Sequence, residues 1–386
     1  MRKTALDRLR RPEKILNKCR LGELRMENGK QIQKAGENSQ QIQAQTVIVN
    51  QGISEERVRI IFSEMLPYAL QEYTCDAYAE ASQRIGKLES NILPKLDKVD
   101  GLLQAFADPA FQILLRKAQQ ASAATEREDD YALLSELLVC HVQKGTDRKN
   151  RTGINRAVEI VDQIDNDALC ALTVAHSVLC YLPTAGGCKE GLGTLDALFS
   201  QLIYQALPTG TEWLDHLDIL GAVRISTMGT MKKISNCYPT LLDGYACVGI
   251  KTDSDDYKKA VELLTEVNIN SEFLVPNECL EGYVRLNIRN EDVIDSLSFN
   301  QGAYRAPLTD NQINTIKQIW KLYSKDTGLK KEASDNFMRL WDSYDSLRQL
   351  RIWWDNIPNA FQITRVGEIL AHTNAKRCSS NIPDLI

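Results

Sequence analysis

From Val58 onward, apolar residues recur every three or four positions over most of the chain, and that spacing places them on one face of a helix rather than one face of a strand. The clearest run is Val58, Ile61, Met65, Ala69, Tyr73, Ala77, Ala81, Ile85, Leu88 and Ile92, a narrow Ala-rich seam. Ser54 precedes it as an N-cap, with Glu55 and Glu56 where the helix dipole favours negative charge. The pattern predicts one long helix within 53–95, its seam of nearly forty residues about 57 Å long at ~1.5 Å per residue, kinked at Pro67.

The same period continues through 96–207 as a helical bundle with short connections. Asp108-Pro109 supplies a cap and an N1 proline, and Thr125 with Glu128 has capping-box spacing ahead of Tyr131, Leu134 and Leu138, with Gly145 as the stop. His176 lies on the apolar stripe of Leu169, Leu172 and Leu179. The expected fold class is therefore mainly α: a helical bundle with a short N-terminal β segment and a small mixed region in the second half. That mixed α/β region is placed at 208–308, where Val223-Arg224-Ile225 reads as a short strand. There too Val284, Leu286 and Ile288 alternate with Arg285, Asn287 and Arg289. A C-terminal helical region, 309–386, carries Trp320, Trp341, Trp353 and Trp354, and Thr364 caps its last helix.

The N-terminus differs in composition. Residues 1–29 form a basic arm, expected to be disordered, and residues 30–52 a short β segment. Gln31-Ile32-Gln33 recurs as Gln41-Ile42-Gln43 ahead of Val47-Ile48-Val49. The stretch 41–49 has neither charge nor proline, so Ile32, Ile42, Val47, Ile48 and Val49 are the candidate assembly residues, through strand edges that pair between copies. A homo-oligomer follows, with a protein partner for the body.

Charge and motifs narrow the chemistry. The net charge is −5, and residues 1–36 carry +7 of it, leaving −12 elsewhere, which argues against a basic nucleic-acid footprint over the whole protein. The densest basic loop, 144–153, makes Arg148, Lys149 and Arg151 candidate phosphate contacts, although no aromatic residue interleaves with them to stack on bases. The Gly-rich stretch Pro183 to Gly193, with Ala185-Gly186-Gly187-Cys188-Lys189-Glu190-Gly191-Leu192-Gly193 at its heart, lacks the Gly-Lys-Ser/Thr ending of a phosphate loop, so an inter-helix loop is expected and no cofactor is called for. Cys140-His141 and His176/Cys180 are the mixed set that a metal would need. Adjacent residues diverge by about 100° on a helix, and His176 fits a core position, so no metal site is assigned. Ten scattered cysteines without a C-x-x-C pair read as buried free thiols. No apolar run reaches the ~18–20 residues of a membrane span, and no secretory signal opens the chain, so a cytoplasmic protein is expected.

Three stretches carry a resemblance: Gly36-Glu37-Asn38-Ser39-Gln40-Gln41-Ile42-Gln43-Ala44 running into Gly52-Ile53-Ser54, the block from Asp108-Pro109 to Ile154-Asn155, and Ile363-Thr364-Arg365-Val366-Gly367. Together they resemble an uncharacterised bacterial family known by locus-tag names, and the first is similar to segments preceding helical regions in candidate anti-phage defence proteins. The resemblance implies a bacterial cytosolic setting and a defence role, and it brings no catalytic residue. The expected function is a non-enzymatic interaction or assembly protein. The alternatives are an enzyme acting on nucleic acid or nucleotides through an unrecognised site, and a nucleic-acid-binding module.

Overall fold

The computed structural model describes residues 25–27, 30–32, 54–70, 73–226, 228–301, 304–379 and 381–383. The chain divides into two units, 1–51 and 52–386. In the first, β1 (Arg25–Glu27) pairs antiparallel with β2 (Lys30–Ile32), Arg25 opposite Ile32 and Glu27 opposite Lys30. Strand structure thus starts ahead of residue 30, and Ile32 closes β2. Ile42, Val47, Ile48 and Val49 lie outside the described residues, as do residues 1–24 of the basic arm.

In the second unit the single long helix is two, α1 (Glu55–Ala69) and α2 (Cys75–Ile92). Ser54 does cap α1, its hydroxyl accepting from the Arg57 N–H at 3.2 Å. Pro67 is accommodated inside α1, and the helix ends three residues later at Leu70, whose φ of −108° and ψ of 13° leave the helical region. Packing explains the break. Val58, Ile61 and Phe62, and beyond the break Ala81, Ile85, Leu88 and Ile92, are all buried, with α1 against α4 (Pro109–Ala124) and α2 against α4 and α5 (Glu128–Lys144). A straight rod of that length cannot lay both halves of its seam on one body, so the seam finds its partner within the chain.

The bundle continues through α3 (Leu102–Ala105), α4, α5, α6 (Arg148–Glu159), α7 (Asn166–Cys180), α8 (Cys188–Leu202) and α9 (Glu212–Ile219). Asp108 caps α4 as expected, accepting from the Ala110 N–H at 3.0 Å. Thr125 does not cap α5. It closes α4, and its hydroxyl donates to buried Asp130 at 2.5 Å, while Arg127 donates to the same carboxylate and to the carbonyls of Val161 and Ile164. The apparent capping box ties α4, α5 and the turn after α6 together instead.

Strand β3 (Val223–Ser226) is followed by α10 (Ile234–Leu241), β4 (Ile250–Lys251), α11 (Asp255–Glu266), β5 (Leu274–Pro276), β6 (Tyr283–Leu286), β7 (Ser298–Gln301) and β8 (Tyr304–Pro307). Then come α12 (Asp310–Trp320), α13 (Thr327–Asp342), α14 (Asp345–Asp355), β9 (Ala360–Ile363) and α15 (Arg365–Cys378). The strands form small antiparallel sheets in the orders β4-β6-β5, β7-β8 and β3-β9. The last pairing puts Val223 opposite Ile363, joining segments more than a hundred residues apart.

There are two main cores. Leu264, Leu286, Ile288, Ile294, Ile316 and Ile319 form the smaller one, so α12 packs with the mixed region rather than with the helices after it. The larger is the bundle, and α15 lies inside it against α5, α6 and α7. Thr364 caps α15 by accepting from the Gly367 N–H at 3.3 Å.

Candidate functional site

The Gly-rich stretch 183–193, expected to be one inter-helix loop, is a loop only as far as Gly187: α8 starts at Cys188, so Gly191 and Gly193 lie inside the helix. Gly186 serves close backbone approach, since a Cβ there would collide with the Asn287 carbonyl. Two arginines hold the loop. Arg285, fully buried, donates through Nη1 to the Gly186 carbonyl at 3.0 Å. Arg289 donates through Nη1 to the Pro183 carbonyl at 2.8 Å, and its Nε is buried without a partner. Arg285 alternates with Val284 and Leu286 along the strand pattern, yet it is buried with them: Nε and Nη2 meet Glu278 Oε2 at 3.1 and 2.8 Å, and Tyr245 lies beside the guanidinium. Beside this loop opens a cavity of about 870 Å³ lined by Cys180, Tyr181, Thr184, Glu190, Gln201 and Arg289 among others.

The histidines near it are structural in character. His176 and Cys180 meet as i and i+4 on α7, Nδ1 to Sγ 3.6 Å, and Tyr181 shares a 2.9 Å hydrogen bond with His372 Nδ1 from α15. Burial lowers the His176 pKa and raises that of the Cys180 thiol. A neutral imidazole facing a protonated thiol is a poor nucleophilic pair near neutral pH. His141 instead packs on Phe111, ring centroids 5.8 Å apart. Among the described residues no group of three or more His, Cys, Asp or Glu is arranged to hold a metal ion.

A second cavity, about 530 Å³, lies between the 206–213 segment and α14. Its floor is Trp213 and Trp353, ring centroids 5.7 Å apart, with Phe361 edge-on to Trp213 at 5.9 Å. The Trp353 indole N–H is spent on the Pro208 carbonyl at 2.9 Å, which fixes the ring. On α14, residues 345, 348, 349, 352 and 353 fall on one helical face, and Asn356, its C-cap, continues it. That face presents exposed Arg348, Gln349 and Asn356 at the rim and Ile352, which is 52% exposed. This arrangement has apolar walls and a polar edge, where Arg348 is paired with Asp345 at 2.6 Å. Sequence reading placed Trp353 on an amphipathic helix but had no signal for the partner ring, which comes from α9.

Arg148, Lys149 and Arg151 fall on the first turn of α6, with Arg148 and Lys149 exposed and Arg151 half-buried. Asp147 already occupies that helix end, accepting from the Lys149 and Asn150 N–H groups at 3.2 and 3.4 Å. Lys117 is paired with Glu159, at the other end of α6, at 2.6 Å.

Fold and cavities together define a mainly α protein with the helix α15 buried in the bundle and small antiparallel sheets appended to it. Residues 52–385 match a protein-family model described as ":-like", and the chain belongs to that family. The match begins where the second unit does. No curated protein and no solved structure matches the chain. Among the described residues no helix is long and apolar enough to cross a membrane.

Proposed function

We propose that this chain is a non-enzymatic interaction protein that grips an apolar anchor of a partner polypeptide in the Trp213–Trp353 cavity. The supporting observation is the cavity's anatomy: two indole rings held rigid at the floor, surrounded by exposed Arg348, Gln349 and Asn356. Aromatic floors with polar rims are where binding energy concentrates in protein interfaces. Copies of the chain assemble through Ile32, Ile42, Val47, Ile48 and Val49, and the resemblance drawn from the sequence makes anti-phage defence the proposed setting. Selection of displayed random peptides against the full chain tests the recognition site. Enriched peptides should share an aromatic or long aliphatic residue and lose binding to Ile352→Glu, which charges the exposed edge without touching the floor. Failure to enrich any peptide, or enriched peptides indifferent to that variant, would remove the cavity as the recognition site.

A further inference from the structure

Arg289 stands half-buried in the wall of the 870 Å³ cavity without a counter-charge. Among the described residues its side chain makes one hydrogen bond, Nη1 to the Pro183 carbonyl at 2.8 Å, and no ion pair; Nε meets no acceptor. Its neighbour Arg285, by contrast, is matched by Glu278 at 2.8 Å. Most of the Arg289 donors are therefore unspent while part of the group's hydration is given up, a cost that an anion beside it offsets. Glu190, the one carboxylate in the described lining, is exposed and does not bond it.

The rest of the wall suits hydrocarbon. Leu182 comes from the end of the α7 segment, Leu195 and Leu198 from α8, and Ile382 from the segment after α15. On α8, residues 194, 197, 198 and 201 recur at helical spacing, so one face of that helix lines the cavity. Thr194, Ala197 and Gln201 on that face are exposed, which leaves the mouth open to solvent. Cys180 also lies in the lining and is exposed, as is Cys75 on α2, so two thiols expected to be buried are accessible.

We propose that this cavity binds an amphipathic monocarboxylate, a single carboxylate on an aliphatic or aromatic body. The carboxylate oxygens accept from the Arg289 guanidinium, whose planar fork matches them, and the body lies on Leu195, Leu198 and Ile382. One cation sharing a lining with one carboxylate favours a monoanion over a dianion such as phosphate. The volume of about 870 Å³ falls within the roughly 300–1,000 Å³ of small-molecule sites. The site is separate from the Trp213–Trp353 cavity and stands whether or not that cavity takes a peptide.

The test titrates octanoate and hydrocinnamate into the full-length protein by calorimetry, with octanamide and inorganic phosphate as comparisons, and follows maleimide labelling of each cysteine by peptide mass analysis. At least one of the carboxylates should bind, and the neutral amide and phosphate should bind about tenfold more weakly or worse, the worth of a charge-assisted hydrogen-bonded pair. The bound carboxylate should slow labelling of Cys180 and leave that of Cys75 unchanged. Arg289→Gln should weaken binding by about the same factor. Ala197→Phe, which fills the mouth from an exposed position, should abolish both binding and protection. No binding of either carboxylate, equal binding of octanamide or phosphate, binding that leaves Cys180 labelling unchanged, or binding retained in Ala197→Phe would each overturn the proposal. If Arg289→Gln does not fold, octanoate against octanamide on the unsubstituted protein decides the role of the charge.

Discussion

Glu278→Ala isolates the ion pair of the buried Arg285. The Arg285 guanidinium is fully buried, and Glu278 Oε2, accepting from Nε and Nη2, is the counter-charge it contacts; its Nη1 is spent on carbonyls of Gly186, Leu286 and Ile288. Removing the carboxylate strands a cation out of water and also takes the acceptor from the Cys188 N–H. Breaking a buried pair from one side costs roughly 3–5 kcal/mol, a fifth or more of a typical domain's stability of about 5–15 kcal/mol. Urea unfolding followed by tryptophan fluorescence should show that loss as a lower midpoint with an unchanged slope. The companion is Glu278→Ala combined with Arg285→Met. If an uncompensated charge is the cause, the double variant recovers much of the stability lost by the single one. Burial alone would raise the Glu278 pKa, but the Arg285 charge and hydrogen bonds carry it below the ordinary 4.5. Its contribution is therefore fully present above about pH 4.5 and is lost as pH falls through the lower folded value. A loss under about 1 kcal/mol for the single variant, or a double variant no better than the single, refutes the reasoning.

Glycines offer a paired contrast: Gly193→Ala on α8 and Gly86→Ala on α2 meet no atom within 4 Å and should each gain about 0.5–1 kcal/mol, measured by urea midpoint. Gly367→Ala drives a Cβ into the Ala222 carbonyl, which Thr364 already engages, and should lose about 1–3 kcal/mol. Burial lowers the pKa of both His141 and His176, so the unfolded chain binds protons first. Stability is whole above about pH 6.5 and declines as pH falls below it, which thermal melts at pH 5.5 and 7.5 will show; His141→Phe should shrink the difference. If strands at 31–49 assemble the protein, Ile42→Lys with Ile48→Lys should convert an oligomer to a smaller species in size-exclusion chromatography with light scattering, and an unchanged mass rules that segment out.

The helices were largely legible because their signals are local. Ser54, Asp108 and Thr364 each cap the helix their sequence context indicates, and Gly145 closes α5. What the sequence hid depends on distant partners. The seam from Val58 to Ile92 has one period but two helices, because α4 and α5 decide where each half is buried. Residues 284–288 alternate as a strand should, yet Arg285 is as buried as Leu286 because Glu278 and three carbonyls receive it. The β3–β9 pairing joins Val223 to Ile363, and neither segment alone declares the other. The two cavities are hidden for the same reason, since Trp213 and Trp353 meet across about 140 residues of sequence.

The five tryptophans provide the most direct test of the proposed recognition site. In protein labelled with ¹⁵N only at tryptophan, each indole N–H gives its own resonance, and a selected peptide can be titrated in. The account predicts that the Trp213 and Trp353 indole resonances shift together and saturate, while those of Trp320 and Trp341 stay in place. Shifts confined to Trp320 or Trp341, or no shift of Trp213 and Trp353 with the peptide bound, would contradict it.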